Sequence, residues 1–266
     1  MGGTGLDVEI VGAGRNLVLL HSLLSDRRSY RALAGRLAGE RRLILVNMPG
    51  FGASPAGAAP VDGYADAIAN LFDDLALPRD TDIVGNGLGG FVALSLAIRH
   101  GERFDRAVLI GGAVAFPEAG RATFRALAEK AERDGMAALA DTAVRRMFAD
   151  AYVATHPEVA AELKSVFAGL DPRVFAAAAR ALAALDFGPD LGRIANPVLV
   201  VAGELDGATP PALGRELARR IPGAAMIELP GLGHCPHIQD ADAVIRAVSP
   251  FLGLRAAAEG TAGAVQ

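Results

Sequence analysis

Short, unbroken apolar runs alternate along this chain with stretches of helical spacing. "NLVLLH" (16–21), "RLILVN" (42–47), "TDIVGN" (81–86), "RAVLIGG" (106–112), "PVLVVAG" (197–203) and "AAMIELP" (224–230) read as strands. Their apolar residues run on without a polar alternation, the pattern of strands buried on both faces of a parallel sheet. Between them, residues 28–39, 62–76, 88–100, 211–221 and 239–253 carry apolar side chains at helical spacing. This alternation predicts an α/β fold, a mostly parallel, doubly wound sheet with helices on both faces.

The alternation stops between about 117 and 188. "EAGRATFRALAEKAERDG", "MAALADTAVRRMF", "HPEVAAELKSVFAG" and "DPRVFAAAARALAAL" are four helical stretches with no strand among them, and Gly135, Pro157 and Pro172 punctuate their ends and starts. The expectation is a helical lid at 117–188, inserted into a core made of 1–116 and 189–266. Phe124, Met147, Phe148, Phe167 and Phe175 lie on the apolar positions of these helices. Helical spacing makes the interior of the lid their default role, with an apolar wall for a substrate as the alternative. The closing "AAAEGTAGAVQ" is small and polar, and is expected to fray.

Composition narrows the class. A chain of 266 residues suits one large domain with an insertion, and 52% hydrophobic residues supply an ample core. The net charge of −4 comes without a basic stripe, and Lys130 and Lys164 are the only lysines. Nucleic acid and membrane surfaces are therefore not expected partners. No apolar run reaches the roughly 20 residues of a membrane span. The first residues lack the basic start of a secretory signal, and Leu6 stands where a myristoylation motif wants Ser or Thr. With Cys235 as the only cysteine there is no intrachain disulfide and no cysteine metal cluster. A cytoplasmic protein without metal or cofactor, acting on a small molecule, is the expectation. The pattern carries no signal for an oligomeric state.

Four segments carry chemistry. In "DIVGNGLGGFVAL" (82–94) a strand runs into clustered glycines and then a helix. Gly85 and Gly89 suit a sharp strand-to-helix turn, whose middle position normally holds a nucleophile; here it is Gly87. Glycine clusters after strands are common, so the order of the remaining segments decides the reading. "GELDGATPP" (203–211) puts Asp206 in the loop after a strand, where open α/β sheets place their sites. "LPGLGHCPH" (229–237) puts His234 after the last strand. The turn, then a carboxylate, then a histidine is the chain order of a hydrolytic triad. "LLHSLLSD" (19–26) follows the first buried run, where this architecture draws one oxyanion-hole amide, the other coming from the residue after the nucleophile position. Leu23 and Leu88 are the candidates. His21, Ser22, Asn86, Met147 and Phe148 are candidate pocket residues, with loop capping as the plain alternative for His21 and Ser22.

Together these segments resemble the α/β-hydrolase superfamily over nearly the whole chain, and within it the 3-oxoadipate enol-lactonases. "HSLLSD" is similar to that family's Asn-Ser-Leu-Gly-Thr-Asp run, and "RRMFADAYVATHPE" to its Arg-Trp-Phe…His-Pro-Glu signature. "AGELDGATPP" and "GLGHCPHIQDADA" follow its acid and histidine loops. "NMPGFGAS" (47–54) matches a superfamily loop, with Asn47 where the acid stands. The resemblance implies a His234–Asp206 pair beside an oxyanion hole from Leu23 and Leu88. It also implies a serine at 87, and glycine has no side chain to attack with.

Gly87 leaves several readings open. His234, oriented by Asp206, activates a water in the vacated space and hydrolyses a small ester or lactone. Alternatively the same dyad moves a proton in a non-hydrolytic lyase or isomerase, since an oxyanion hole also stabilises an enolate. Or the chain is a pseudoenzyme or an engineered nucleophile knock-out that binds without turnover. As substitute nucleophiles, Cys235 reads as a buried small hydrophobe. Ser22 and Ser25 have no sequence reason to contact His234. His237, His100 and His156 read as structural or surface residues, and His234 with His237 lacks a third metal ligand at suitable spacing. Arg145 and Arg146 either reach a substrate carboxylate from the lid or face water.

Overall fold

The structure is a computed structural model that describes residues 3–57 and 60–255. The closing segment from 256 and the first two residues, which bear on fraying and on an amino-terminal signal, lie outside the described residues. Seven strands form one sheet: β1 (Val8–Val11), β2 (Arg15–Leu20), β3 (Arg41–Val46), β4 (Asp82–Asn86), β5 (Ala107–Ile110), β6 (Val198–Gly203) and β7 (Ala225–Leu229). Their order is β1-β3-β2-β4-β5-β6-β7, with β1 antiparallel to β3 and every other pair parallel. All six apolar runs are strands, and the α/β class stands. The seventh strand, β1, escapes the pattern because it is a four-residue, half-buried edge strand with no continuous apolar run.

Helices α1 (Arg31–Leu37), α2 (Val61–Asp74) and α3 (Leu88–His100) follow β2, β3 and β4; α9 (Pro211–Arg220), α10 (Pro236–Gln239) and α11 (Ala241–Leu252) come after β6 and β7. Successive strand residues feed two cores. Leu17, Leu19, Val84, Val108 and Val201 pack with α1 and α11, whereas Val18, Leu20, Ile83, Leu109 and Val200 pack with α2, α3 and α9. This is the side-chain alternation of a strand expressed as two apolar faces. The stretch expected to be one helix over 239–253 is broken at Asp240, whose side chain accepts from the Ala243 amide and caps α11.

Between β5 and β6 lie α4 (Glu118–Asp134), α5 (Ala140–Met147), α6 (Asp150–Thr155), α7 (Pro157–Ala168) and α8 (Pro172–Ala184). Gly135 ends α4 at φ 78°, while Pro157 and Pro172 open α7 and α8. One helix more than the four read from the pattern is present: α6, whose six residues bury none of their own and so leave no apolar stripe. Phe167 and Phe175 meet edge to face at 5.4 Å inside this segment, which makes them its interior.

His237 is a structural residue rather than a surface one. Its ring is fully buried, stacked on Tyr30 with centroids 4.4 Å apart. Burial, and secondarily His234, pushes its pKa down to about 3. The folded state therefore holds His237 neutral while the unfolded chain protonates it near pH 6.5. Its stabilising contribution is complete above pH 6.5 and is lost as pH falls toward 3. Replacement by leucine is expected to flatten the fall in stability between pH 7 and pH 5 by about 1–2 kcal/mol, measured by urea unfolding at the two pH values.

Candidate active site

The turn after β4 is built on close backbone contact. A Cβ at Gly85 would overlap the Gly89 carbonyl, and one at Gly89 would overlap the Leu20 carbonyl, so both positions require glycine. The Gly89 amide donates to the His21 carbonyl at 3.0 Å, drawing the loop after β2 against the start of α3. Gly87, at the apex, adopts φ 52° and ψ −116°, a conformation costly for any other residue.

Two further loops converge there. The His234 Nδ1 donates to Asp206 Oδ2 at 2.9 Å, with both side chains almost completely buried. The other carboxylate oxygen of Asp206 accepts from the amides of Ala208 (2.8 Å) and Thr209 (2.7 Å). These amides fix the carboxylate and aim it at the imidazole. With Nδ1 occupied as donor, Nε2 is the basic nitrogen, and it faces Ser22 Oγ at 3.5 Å. The sequence gives no reason for Ser22, a candidate pocket residue, to contact His234. The correction comes from the Gly89–His21 bond, which turns the loop inward and which no sequence spacing records.

The volume vacated at Gly87 is not free. A Cβ built there lies 2.7 Å from Ser22 Oγ and 2.8 Å from His234 Nε2, so these two groups meet in the space that a side chain at 87 would take. Above them is a cavity of about 30 Å³, room for about one or two waters. Ser22, Leu23, Gly87, Leu88, Arg146 and His234 all contribute to its wall, together with Phe91, Phe116 and Phe124.

The Leu23 and Leu88 amides have no acceptor among the described residues. The Ser22 carbonyl, in the same peptide unit as the Leu23 amide, accepts from His21 Nδ1 (2.8 Å), the Ser25 amide (3.2 Å) and the Ser25 hydroxyl (3.3 Å). In a trans peptide the N–H points opposite to the carbonyl, which turns the Leu23 amide away from those donors. His21 Nε2 accepts from the Met48 amide at 3.1 Å, fixing the tautomer, and burial lowers its pKa to about 4.

Four expected pocket residues do not line this cavity. His21 props the Leu23 peptide from beneath. Asn86 donates to the His234 carbonyl at 2.8 Å and accepts the Cys235 thiol at 3.1 Å. The Met147 carbonyl accepts from the His234 amide at 3.0 Å, and Phe148 packs on Tyr152. All four are framework: their polar groups are spent on holding loops, and the Met147 and Phe148 side chains are turned into the core. Burial pushes the Cys235 thiol up, so it is inert as a nucleophile. His100 pairs with Asp66, and His156 stacks on Tyr152. Of Arg145 and Arg146, Arg146 borders the cavity. It makes no ion pair among the described residues, and its guanidinium lies 5.6 Å from the centre of the Phe124 ring. Burial lowers its pKa, opposed by the Asp206 carboxylate. Arg145 is exposed. Phe91 and Phe116 were missed as cavity residues because their spacing is that of ordinary core positions.

A family model described as "Alpha/beta hydrolase family" matches residues 17–247. The chain belongs to that family. It is similar to 3-oxoadipate enol-lactonase 2 of Acinetobacter baylyi, 30% identical over 89% of this chain and 88% of that one. It is also similar to a pimeloyl-[acyl-carrier protein] methyl ester esterase of Chromobacterium violaceum, 30% identical over 94% and 99%. Among solved structures, the enol-lactonase from Burkholderia xenovorans LB400 superposes with a TM-score of 0.87 at 31% identity, covering 93% of this chain and 96% of that one.

In this alpha/beta hydrolase, Gly87→Ser must accept a left-handed backbone and push against Ser22. It is expected to lower stability by about 1–3 kcal/mol in urea unfolding. Adding Ser22→Ala, which removes the 2.7 Å contact, recovers part of that loss.

Proposed function

We propose that the chain hydrolyses a small carboxylic ester or lactone that also carries a free carboxylate. His234 is the general base, Asp206 orients it, and the Leu23 and Leu88 amides stabilise the oxyanion. The buried bond between Asp206 and His234 carries this reading: it leaves Nε2 as a base facing a small, mostly apolar cavity bordered by two unpaired amides. Such preorganised donors favour the charge that develops on a carbonyl oxygen. The relatives named as an enol-lactonase and a methyl ester esterase support ester-bond chemistry.

Arg146 supports the carboxylate. A partly buried guanidinium with no carboxylate of its own is matched by an anionic group on the ligand, bound through two parallel N–H···O contacts. Phe91, Phe116 and Phe124 leave an apolar wall between that anchor and the base. The helices α4–α8 act as a lid in this reading, since α4 and α5 bring Phe124 and Arg146 over the strand ends. The substrate is a small molecule, and no helix among the described residues is long and apolar enough to cross a membrane.

The test is hydrolysis of paired esters and enol-lactones, with and without a free carboxylate, by the parent, His234→Ala and Arg146→Ala. His234→Ala is expected to lower kcat/KM by about 100-fold or more. Arg146→Ala is expected to raise KM for the carboxylate-bearing substrate about 10- to 100-fold and to leave its neutral counterpart unchanged. A parent inactive on every member, with Gly87→Ser active, would make the chain a disarmed hydrolase and overturn the reading.

A further inference from the structure

We propose that Ser22 is the nucleophile of this site, carried on the loop after β2 in place of a side chain at the turn after β4. The inference rests on the hydrolytic reading above and supplies what Gly87 cannot. Ser22 is the one hydroxyl hydrogen-bonded to His234 among the described residues, at 3.5 Å from Nε2. Contacts of this length are common between nucleophile and base in unliganded sites and shorten when substrate binds. Ser22 and His234 also meet at the place where a Cβ at 87 would project, 2.7 and 2.8 Å from it. Glycine at 87 is thus what admits the Ser22 side chain to the base.

The oxyanion donors fit this exchange. In the usual arrangement the amide following the nucleophile pairs with one from the facing loop. With Ser22 attacking, the amide that follows is that of Leu23, and the facing one is that of Leu88. Both border the cavity and neither has an acceptor among the described residues. The Ser22 carbonyl is pinned by three donors, so the nucleophile and the Leu23 amide sit on one rigid peptide. Thr209 also borders the cavity, but among the described residues its hydroxyl makes no hydrogen bond to His234. The Ser25 hydroxyl is bonded to the Ser22 carbonyl, and the Cys235 thiol to Asn86.

The chemistry closes. His234 Nε2 takes the Ser22 proton as Oγ bonds to the ester carbonyl carbon, and the oxyanion rests on the Leu23 and Leu88 amides. The carbonyl re-forms, the C–O bond to the alcohol or enol breaks, and the leaving oxygen takes the proton from His234. Water then adds to the acyl-Ser22 ester, giving one proton to His234. Ser22 leaves with that proton, and the free acid is released.

The deciding experiment treats the parent with a fluorophosphonate, which bonds irreversibly to activated serines, and maps the adduct by tandem mass spectrometry of the peptide 16–27. The same variants are assayed on the ester and enol-lactone panel. One adduct per chain on Ser22 is expected, absent in Ser22→Ala and formed at least about tenfold more slowly in His234→Ala. Ser22→Ala is expected to lose about 100-fold or more in kcat with little change in KM. An unlabelled parent, or an adduct on any other residue, overturns the assignment. So does a Ser22→Ala enzyme that turns over like the parent while His234→Ala does not; the hydrolytic reading would then survive with water as the attacking group. Labelling at Ser22 in a chain that cleaves no ester or lactone would do the reverse, sinking that substrate class and keeping the nucleophile.

Discussion

The passage of the turn after β4 beneath the loop after β2 is the contact on which the site depends. Gly89 lets the two backbones meet at a separation that any side chain would forbid, Gly85 lets the turn fold tightly on itself, and the Gly89 amide closes the contact by donating to the His21 carbonyl. Everything reactive is placed from that crossing. It puts Gly87 at the start of α3, turns Ser22 inward, and sets the Leu23 and Leu88 amides on one cavity. A helix start is a natural place for such donors, since its first amides have no partners within the helix.

Polar groups near the site are almost all paired, and the pairs form a scaffold. Asp206 is held by two amides and His234; His21 is fixed between Met48 and Ser22. The histidine loop is fastened from below by Asn86 and from above by the Met147 carbonyl at the end of α5. The helical insertion is therefore tied to the base by a backbone hydrogen bond, so a shift of α5 is felt at His234. Among the residues that line the cavity, the Leu23 and Leu88 amides and the Arg146 guanidinium stay unpaired, whereas the buried His237 ring, away from the cavity, also lacks a hydrogen-bond partner. Unpaired donors beside an apolar wall act strongly on an anion that enters, because charges interact more strongly in surroundings of low polarity.

A nucleophile at the apex of a strand-to-helix turn is held in a strained backbone, which fixes its position at a cost in stability. Glycine at 87 relieves that strain, whereas a serine on the neighbouring loop is fixed by hydrogen bonds to its own carbonyl. If Ser22 attacks as proposed, the rigidity of the attacking atom is reached by a different physical route.

The α/β class, six of the seven strands, the order of turn, Asp206 and His234, and the glycine-rich close approach were all legible in the sequence. Each is a local property: buried parallel strands demand continuous apolar runs, and a tight turn demands glycine at particular spacings. The edge strand β1 and the short helix α6 were not, because neither buries enough of itself to leave a periodic stripe. Nor could spacing tell framework from wall. Asn86, Met147 and Phe148 stand beside site residues in sequence yet point into supporting contacts, while Phe91 and Phe116 look like core and border the cavity. The meeting of Ser22 with His234 belongs wholly to the tertiary structure. It joins residues 212 positions apart through a loop turned by a single backbone hydrogen bond, and it exists only because a third segment contributes a glycine where a side chain would intervene.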